Sequence, residues 1–306
     1  MRVIPLVDTS FPAAEKIEIL SISLLDQHRQ RVETLKSLAH TLGIGMGWHY
    51  LLDWVWILAM LGDVNGKRIL DAGAGEGLLQ WYLAEQGAEI ISVDRSSRAE
   101  LSLRFRARYP VRGLTKEDLD SPLRVLRKNI NHASDFKTKI YSLVRGTGGL
   151  LKIALPKSPS GEVTIYNQDL ASMPLIPSDS VDTVVAISAL EHNSPEELGG
   201  VADELVRVLK PGGLLLATLG AARDRDWFHE PSKGWCYTDA SLRHYFHLSA
   251  SIPSNYSQYD DLLFALRNCA ELRDNLADFY FRSGDNGMPW GNWDPKYQSV
   301  GVCKRK

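Results

Sequence analysis

The run LDAGAGEGL, Leu70 to Leu78, sets Gly73, Gly75 and Gly77 at alternate positions directly behind an apolar segment. Glycine at that frequency weakens strand and helix alike, so the backbone there must take unusual dihedrals or be approached closely. The flanking segments supply the reason. KRILDAG (Lys67 to Gly73) reads as a strand, GLLQWYLAEQG as a helix ending at Gly87, and AEIISVD (Ala88 to Asp94) as a second strand with an acid at its end. Together they form a βαβ unit. Its glycine turn falls at the carboxyl end of a parallel sheet, where such folds bind ligands, and the helix N-terminus offers free N–H groups there.

With 306 residues, 44% hydrophobic and 24% charged, the chain can bury a full core and fits one large domain, or one domain carrying an insertion. The apolar spacing in AAEKIEILSISLLDQHRQRVETLKSLAHTLG predicts a helix stopping at Gly43, and a second helix follows from about Trp48 to Leu61. Residues 1–65 are thus predicted to be a helical lid or cap ahead of a main domain at 66–306. After Asp94 the next convincing strand is EVTIYNQDL (Glu162 to Leu170). The stretch between, 96–160, is too long for a structureless loop and reads as a mostly helical insertion. Alternation then resumes with a strand at Val181 to Ser188, a helix at Ser194 to Lys210 opened by its serine, a strand at Gly212 to Gly220, and a helix behind Thr238 or Asp239. Two late strands follow, Ala277 to Ser283 and Lys296 to Arg305. The prediction is an α/β fold: a doubly wound, mostly parallel seven-stranded sheet with an antiparallel last strand.

Several classes are disfavoured. YLLDWVWILAML (Tyr50 to Leu61) is too short to span a bilayer and contains Asp53. MRVIPLVDTS lacks the pattern of a secretion signal. Cys236, Cys269 and Cys303 are odd in number, widely spaced and without a CxxC pair, so reduced thiols and a cytoplasmic location are expected.

Asp94 is placed to accept both hydroxyl protons of a ribose, which points to a nucleoside-containing ligand. A dinucleotide would want a glycine at position 78, which is Leu78, and Asp71 would sit against its pyrophosphate. A cationic ligand suits Asp71 better. On these features the sequence resembles the class I, Rossmann-like S-adenosylmethionine-dependent methyltransferases, over Gly66 to about Gly220 apart from the insertion. The resemblance implies that Asp71, Gly73, Ala74, Gly75 and Gly77 wrap the methionine part of S-adenosylmethionine. It implies that Asp94 holds the ribose and that Asp169 with Leu170 contacts the adenine edge, with Arg95 counted among the cofactor residues. Ser188 is counted with the cofactor residues, and ALEH and LKPGG match later landmarks of the family.

Methyl transfer from a sulfonium is an in-line displacement in which alignment does much of the work. An oxygen acceptor would benefit from a base. His192 is the leading candidate, with Glu191 beside it and His229 on a loop after strand five. His192 packing on the cofactor, and His229 as an ordinary surface histidine, are the plainer accounts. Relatives with an E-x-x-E-H pattern bind a divalent metal, but Ser188 stands at the first acid and no metal is predicted. Trp48, His49 and Tyr50 resemble a lid segment, whereas Trp54 and Trp56 suit a core helix.

The stretch 96–160 carries 14 Lys/Arg against 5 Asp/Glu. It is either a solvated helical face or a surface for an anionic acceptor, such as an acidic glycan or a lipid- or nucleotide-linked compound. RNA is disfavoured by scattered aromatics and a pI of about 6.5. LLKIALPK and the Leu123, Leu126, Ile130 stripe could touch a membrane, but packing onto the protein is the more economical account. The reading is an O-methyltransferase of a small-molecule or glycan acceptor, with N- or C-methylation, or a non-catalytic scaffold, as alternatives. The sequence does not set the oligomeric state.

Overall fold

The computed structural model describes residues 14–45, 47–132, 135–155, 157, 161–274 and 292–306. The strand expected at Ala277 to Ser283 lies outside them. In chain order the elements are β1 (Lys16–Ile19), α1 (Ser23–Gln27), α2 (Arg29–Leu42), α3 (Tyr50–Leu61), β2 (Arg68–Ala72), α4 (Leu79–Glu85), β3 (Glu89–Asp94) and α5 (Leu103–Arg108). Then come β4 (Val111–Gly113), α6 (Pro122–His132), α7 (Phe136–Ala154), β5 (Val163–Asn167), β6 (Val181–Ile187), a 3₁₀ turn at Leu190–His192 and α8 (Pro195–Val208). The chain ends with β7 (Leu209–Ala221), β8 (Trp227–His229), β9 (Gly234–Tyr237), α9 (Asp239–Tyr245), α10 (Tyr259–Arg267), α11 (Ala270–Asp274) and β10 (Gln298–Arg305). This is the expected α/β class, with mostly parallel pairing around the glycine turn and an antiparallel last strand. Among the described residues no helix is long and apolar enough to cross a membrane.

Two departures from the sequence reading have simple causes. Lys16–Ile19 is a strand antiparallel to β10, not the start of a helix. KIEI alternates with a period of two, and Ile17 and Ile19 are buried while Lys16 and Glu18 are only half-buried. Ten strands are described where seven were expected, because β1, β4, β8 and β9 are only three or four residues long and owe their pairing to distant partners. The loop expected at Asp226 to Trp235 is the β8–β9 hairpin.

The chain divides into two compact units, Val64–Asp169 and Met1–Asp63 with Leu170–Lys306. The first holds four parallel strands in the order β2-β3-β5-β4. Trp81 of α4 stacks on Phe105 and Tyr109 at 4.7 and 4.9 Å. Beyond that core, Leu103, Val125 and Leu126 form a small cluster with Ile130, Leu150 and Ile153, so α5, α6 and α7 pack on one another. Gly146 lets α7 approach closely, since a Cβ there would lie 2.1 Å from Leu126 Cδ1. Much of the basic excess of 96–160 is locally matched: Arg108 pairs with Glu85 (2.8 Å), Arg112 with Glu162 (2.7 Å), and Lys128 with Glu100 and Asp120 (2.5 and 3.0 Å).

The second unit holds the order β1-β10-β7-β6, with β9 alongside the end of β7. Helix α8 starts on a capping box, with Ser194 N–H donating to Glu197 Oε2 at 3.1 Å and Pro195 in the first turn. Helix α3 is apolar on nearly every face and accordingly buried, Trp54, Val55, Trp56 and Ile57 all being shielded. Trp56 donates to Glu18 Oε2 at 2.8 Å, and its ring lies flat on the backbone of β10 where a Cβ on Gly301 would come within 2.5 Å. Gly301→Ala is therefore expected to lower the urea midpoint with m unchanged, by roughly 1–3 kcal/mol of overpacking.

Candidate active site

The glycine turn is built as its composition requires. Gly73 and Gly75 adopt φ of +71° and +47°, and the N–H groups of Gly73 and Ala74 both donate to Val93 O at 2.9 and 3.0 Å. Gly77 N–H closes the turn on Ala74 O at 2.8 Å. Gly75 N–H donates to Asp94 Oδ2 at 2.8 Å and Ser96 N–H to Asp94 Oδ1 at 2.7 Å. Each carboxylate oxygen thus keeps a lone pair, which is what a vicinal diol needs. Arg95 and Asp169 are exposed, and Asp169 follows Gln168, whose N–H donates to Asp94 O at 2.9 Å.

Two side chains that sequence reasoning missed hold this turn from beneath. Gln80, wholly buried in α4, donates from Nε2 to Gly75 O and Gly77 O at 3.2 and 3.1 Å and accepts from Ser92 Oγ at 2.7 Å. Arg98, buried as well, donates to Gly75 O (3.2 Å), Ser92 Oγ, Ser92 O (2.7 Å) and Tyr166 O (3.2 Å). Burial lowers the pKa of its guanidinium, countered by Asp94, Asp71, Asp118 and Glu76. Nothing in SSRAE sets this arginine apart from its exposed neighbours, whereas Gln80, in the first turn behind the glycines, carried a faint signal. Burial pushes the Asp71 carboxyl up to about 7, with Arg98 pulling it down and Asp94 raising it.

The other unit contains a cleft open to solvent. Its walls include His49 and Tyr50 at the start of α3, Ser188, Glu191 and His192 after β6, and Trp235, Cys236 and Tyr297. The structure thus brings together Ser188, Glu191 and His192, three of the predicted residues, with His49 and Tyr50 of the expected lid. Leu170 falls in the same unit but not on the cleft, and His229 is buried behind its wall, with Nδ1 bonded to Ser232 Oγ at 2.7 Å and its ring 5.0 Å from that of Tyr297. Burial lowers the His229 pKa.

Ser188 is held at φ +47°, a strained value for a side-chain-bearing residue, and its hydroxyl donates to Glu191 Oε1 at 2.5 Å. Burial raises the Glu191 pKa, countered by the nearby His192 and His49 and by the Ser188 hydroxyl. His192 is exposed and donates from Nδ1 to Lys233 O at 2.9 Å, which leaves Nε2 with its lone pair. His49 donates from Nδ1 to Asp53 Oδ2 at 2.7 Å. Asp53, one turn further along α3, is fully buried, and its other oxygen has no partner among the described residues. The spacing of four places both side chains on one helical face, a signal legible in HYLLD but masked by its apolar surroundings.

A family model described as a methyltransferase domain matches residues 147–217, from within α7 through β5, β6 and α8 into β7. Over that stretch, less than a quarter of its length, the chain is similar to the methyltransferase domain family. S-adenosylmethionine is the cofactor of this family. No curated protein matches the chain. Among solved structures it is similar to the [4+2]-cyclase SpnF (16% identity over 96% of this chain and 99% of that one, TM-score 0.45). It is also similar to the Burkholderia thailandensis 1,6-didemethyltoxoflavin-N1-methyltransferase (13%, 93% and 88%, TM-score 0.43). A third is the magnesium protoporphyrin IX methyltransferase of Synechocystis PCC 6803 (14%, 90% and 84%, TM-score 0.38). At these identities and scores none of the three carries an argument about what this chain acts on.

The residues fit the cofactor. Asp94 has lone pairs left for the ribose hydroxyls, the Gly73 and Gly75 backbone holds a positive φ that a side chain would strain, and the buried Asp71 carboxyl suits a cationic group. Asp94→Ala should weaken S-adenosylhomocysteine binding at least about ten-fold in calorimetric titration, the cost of losing hydrogen bonds to a charged acceptor. Asp71 has a separate pH signature without ligand. Unfolded, it releases its proton near pH 4; folded, near 7, so between these values only the folded chain holds the proton and stability falls as pH rises, by up to about 4 kcal/mol. Asp71→Asn should therefore gain stability over the parent between pH 5 and pH 8 in denaturant titrations, and a constant difference across that range would contradict the assignment.

Proposed function

We propose that this methyltransferase methylates an oxygen of a small-molecule acceptor held in the cleft of the second unit. S-adenosylmethionine, when bound, supplies a methyl group on a sulfonium, which needs no further activation. What remains for the chain is to orient the acceptor and take its proton. The observation that carries the reading is the His49–Asp53 pair, whose imidazole lines the cleft. The buried carboxylate accepts the Nδ1 proton, so the imidazole lining the cleft keeps Nε2 free as an acceptor, and the developing imidazolium is stabilised without proton transfer to Asp53. His192, also with a free Nε2, is the alternative base, and its exposure makes it the less constrained of the two. Glu191, raised by burial, suits a hydrogen-bonding role toward the acceptor.

The lining supports an uncharged, ring-bearing alcohol or phenol over an anionic glycan. Tyr50, Trp235 and Tyr297 offer flat apolar faces, and no lysine or arginine stands among the described lining residues. N-methylation is the second reading, because an amine acceptor needs a base less.

The test is methyl transfer from labelled S-adenosylmethionine to a panel of phenols, alcohols and amines. With a phenol or alcohol acceptor, His49→Ala should lower kcat by about 10²–10⁴ with S-adenosylhomocysteine affinity retained, and Asp53→Asn should fall between it and the parent. A drop confined to His192→Ala would move the base to that residue. Turnover confined to amines would overturn O-methylation.

A further inference from the structure

Six of the nine large hydrophobic side chains that stand exposed among the described residues fall on one feature, the α6–α7 hairpin: Leu123, Ile140, Leu143, Val144, Leu151 and Leu155. They are not the hairpin's packing face. Leu126, Ile130, Leu150 and Ile153 supply that, turned toward Leu103 and Val125. The economical account of the stripe therefore holds for Leu126 and Ile130 but leaves Leu123 out, at 69% exposure. On α7, Ile140, Val144 and Leu151 recur at spacings of four and seven, and Leu155 follows four further on, a continuous stripe about 22 Å long. These four are between 47% and 72% exposed.

The charge on the same two helices has one sign. Helix α6 carries Arg124, Arg127 and Lys128, α7 carries Lys137, Lys139, Arg145 and Lys152, and neither contains an aspartate or glutamate. Arg124 and Lys128 of α6 pair with Asp120 and Glu100, but Arg127, Lys137, Lys139 and Lys152 are exposed and make no ion pair among the described residues. Aliphatic side chains flanked by unmatched cations are the composition of a helix lying in a bilayer interface, the stems and aliphatic groups entering the acyl boundary while the charges stay at the headgroups. A second copy of the chain would bring these unmatched cations against their like, and a neutral partner would leave them unused.

We propose that the α6–α7 hairpin is a peripheral docking surface for a membrane rich in anionic lipid, so that the methyltransferase works at a bilayer surface. The proposal is independent of the acceptor assigned above. It is tested by sedimenting the full-length protein with vesicles of 70% phosphatidylcholine and 30% phosphatidylserine, with pure phosphatidylcholine as control. The expected result is binding to the anionic vesicles only, weakened at high salt. The Val144→Glu, Leu151→Glu double variant, whose sites are exposed and should leave the melting curve unchanged, should lose it. Replacing Lys137 or Lys152 by Gln should weaken binding on the order of five-fold each. Absence of the protein from the anionic pellet, or binding that the double variant retains, overturns the proposal. So does a dimer, seen in sedimentation velocity, that the double variant dissolves while vesicles are ignored.

Discussion

The buried guanidinium of Arg98 is the contact on which the first unit turns. It ties β3 to β5 through Ser92 O and Tyr166 O, reaches the glycine turn through Gly75 O, and supplies the positive charge that allows Asp71, Asp94 and Asp118 to lie within one small volume. With the turn's carbonyls drawn inward by Arg98 and Gln80, its outward face is left to N–H groups and to Asp94. Asp118 extends the lock, accepting from Thr115 and from Asn167 N–H, while Arg98 N–H donates to Asn167 Oδ1. The shape of the glycine turn thus depends on a polar lattice beneath the loop as much as on the loop.

How much of this was legible differs from residue to residue. β2, β3, β5, β6, β7 and β10 are apolar runs bounded by glycine or polar turns, so their local pattern names them. β1 was hidden because its two isoleucines also fit a helical period, and only pairing with β10, nearly the whole chain away, settles the choice. The glycines and Asp94 could be read because a tight turn constrains residue type in the backbone itself. Arg98 could not, since an arginine becomes a core residue only when carbonyls from three separate segments converge on it.

The second unit teaches the complementary point. Glu191 and His192 were visible as a landmark after a strand, and the structure places both on the cleft. Their companion on the cleft, His49, lies some 140 residues earlier, read as part of a lid segment, and its pairing with Asp53 was hidden in an apolar helix that suggested core packing. A buried aspartate in such a helix is a costly group, and its position one turn from a histidine supplies the compensating hydrogen bond.

Ser188 has a further implication. A glycine at this position would relax the left-handed backbone at once, yet the chain keeps a residue whose hydroxyl reaches Glu191. Retaining that hydroxyl means tolerating strain in the strand end that carries the cleft, so the route to a sturdier protein and the route to a better-organised cleft run in opposite directions at this residue. Selection for heat resistance alone would drift toward glycine here, and the cleft would lose its anchor for Glu191 before the fold lost anything.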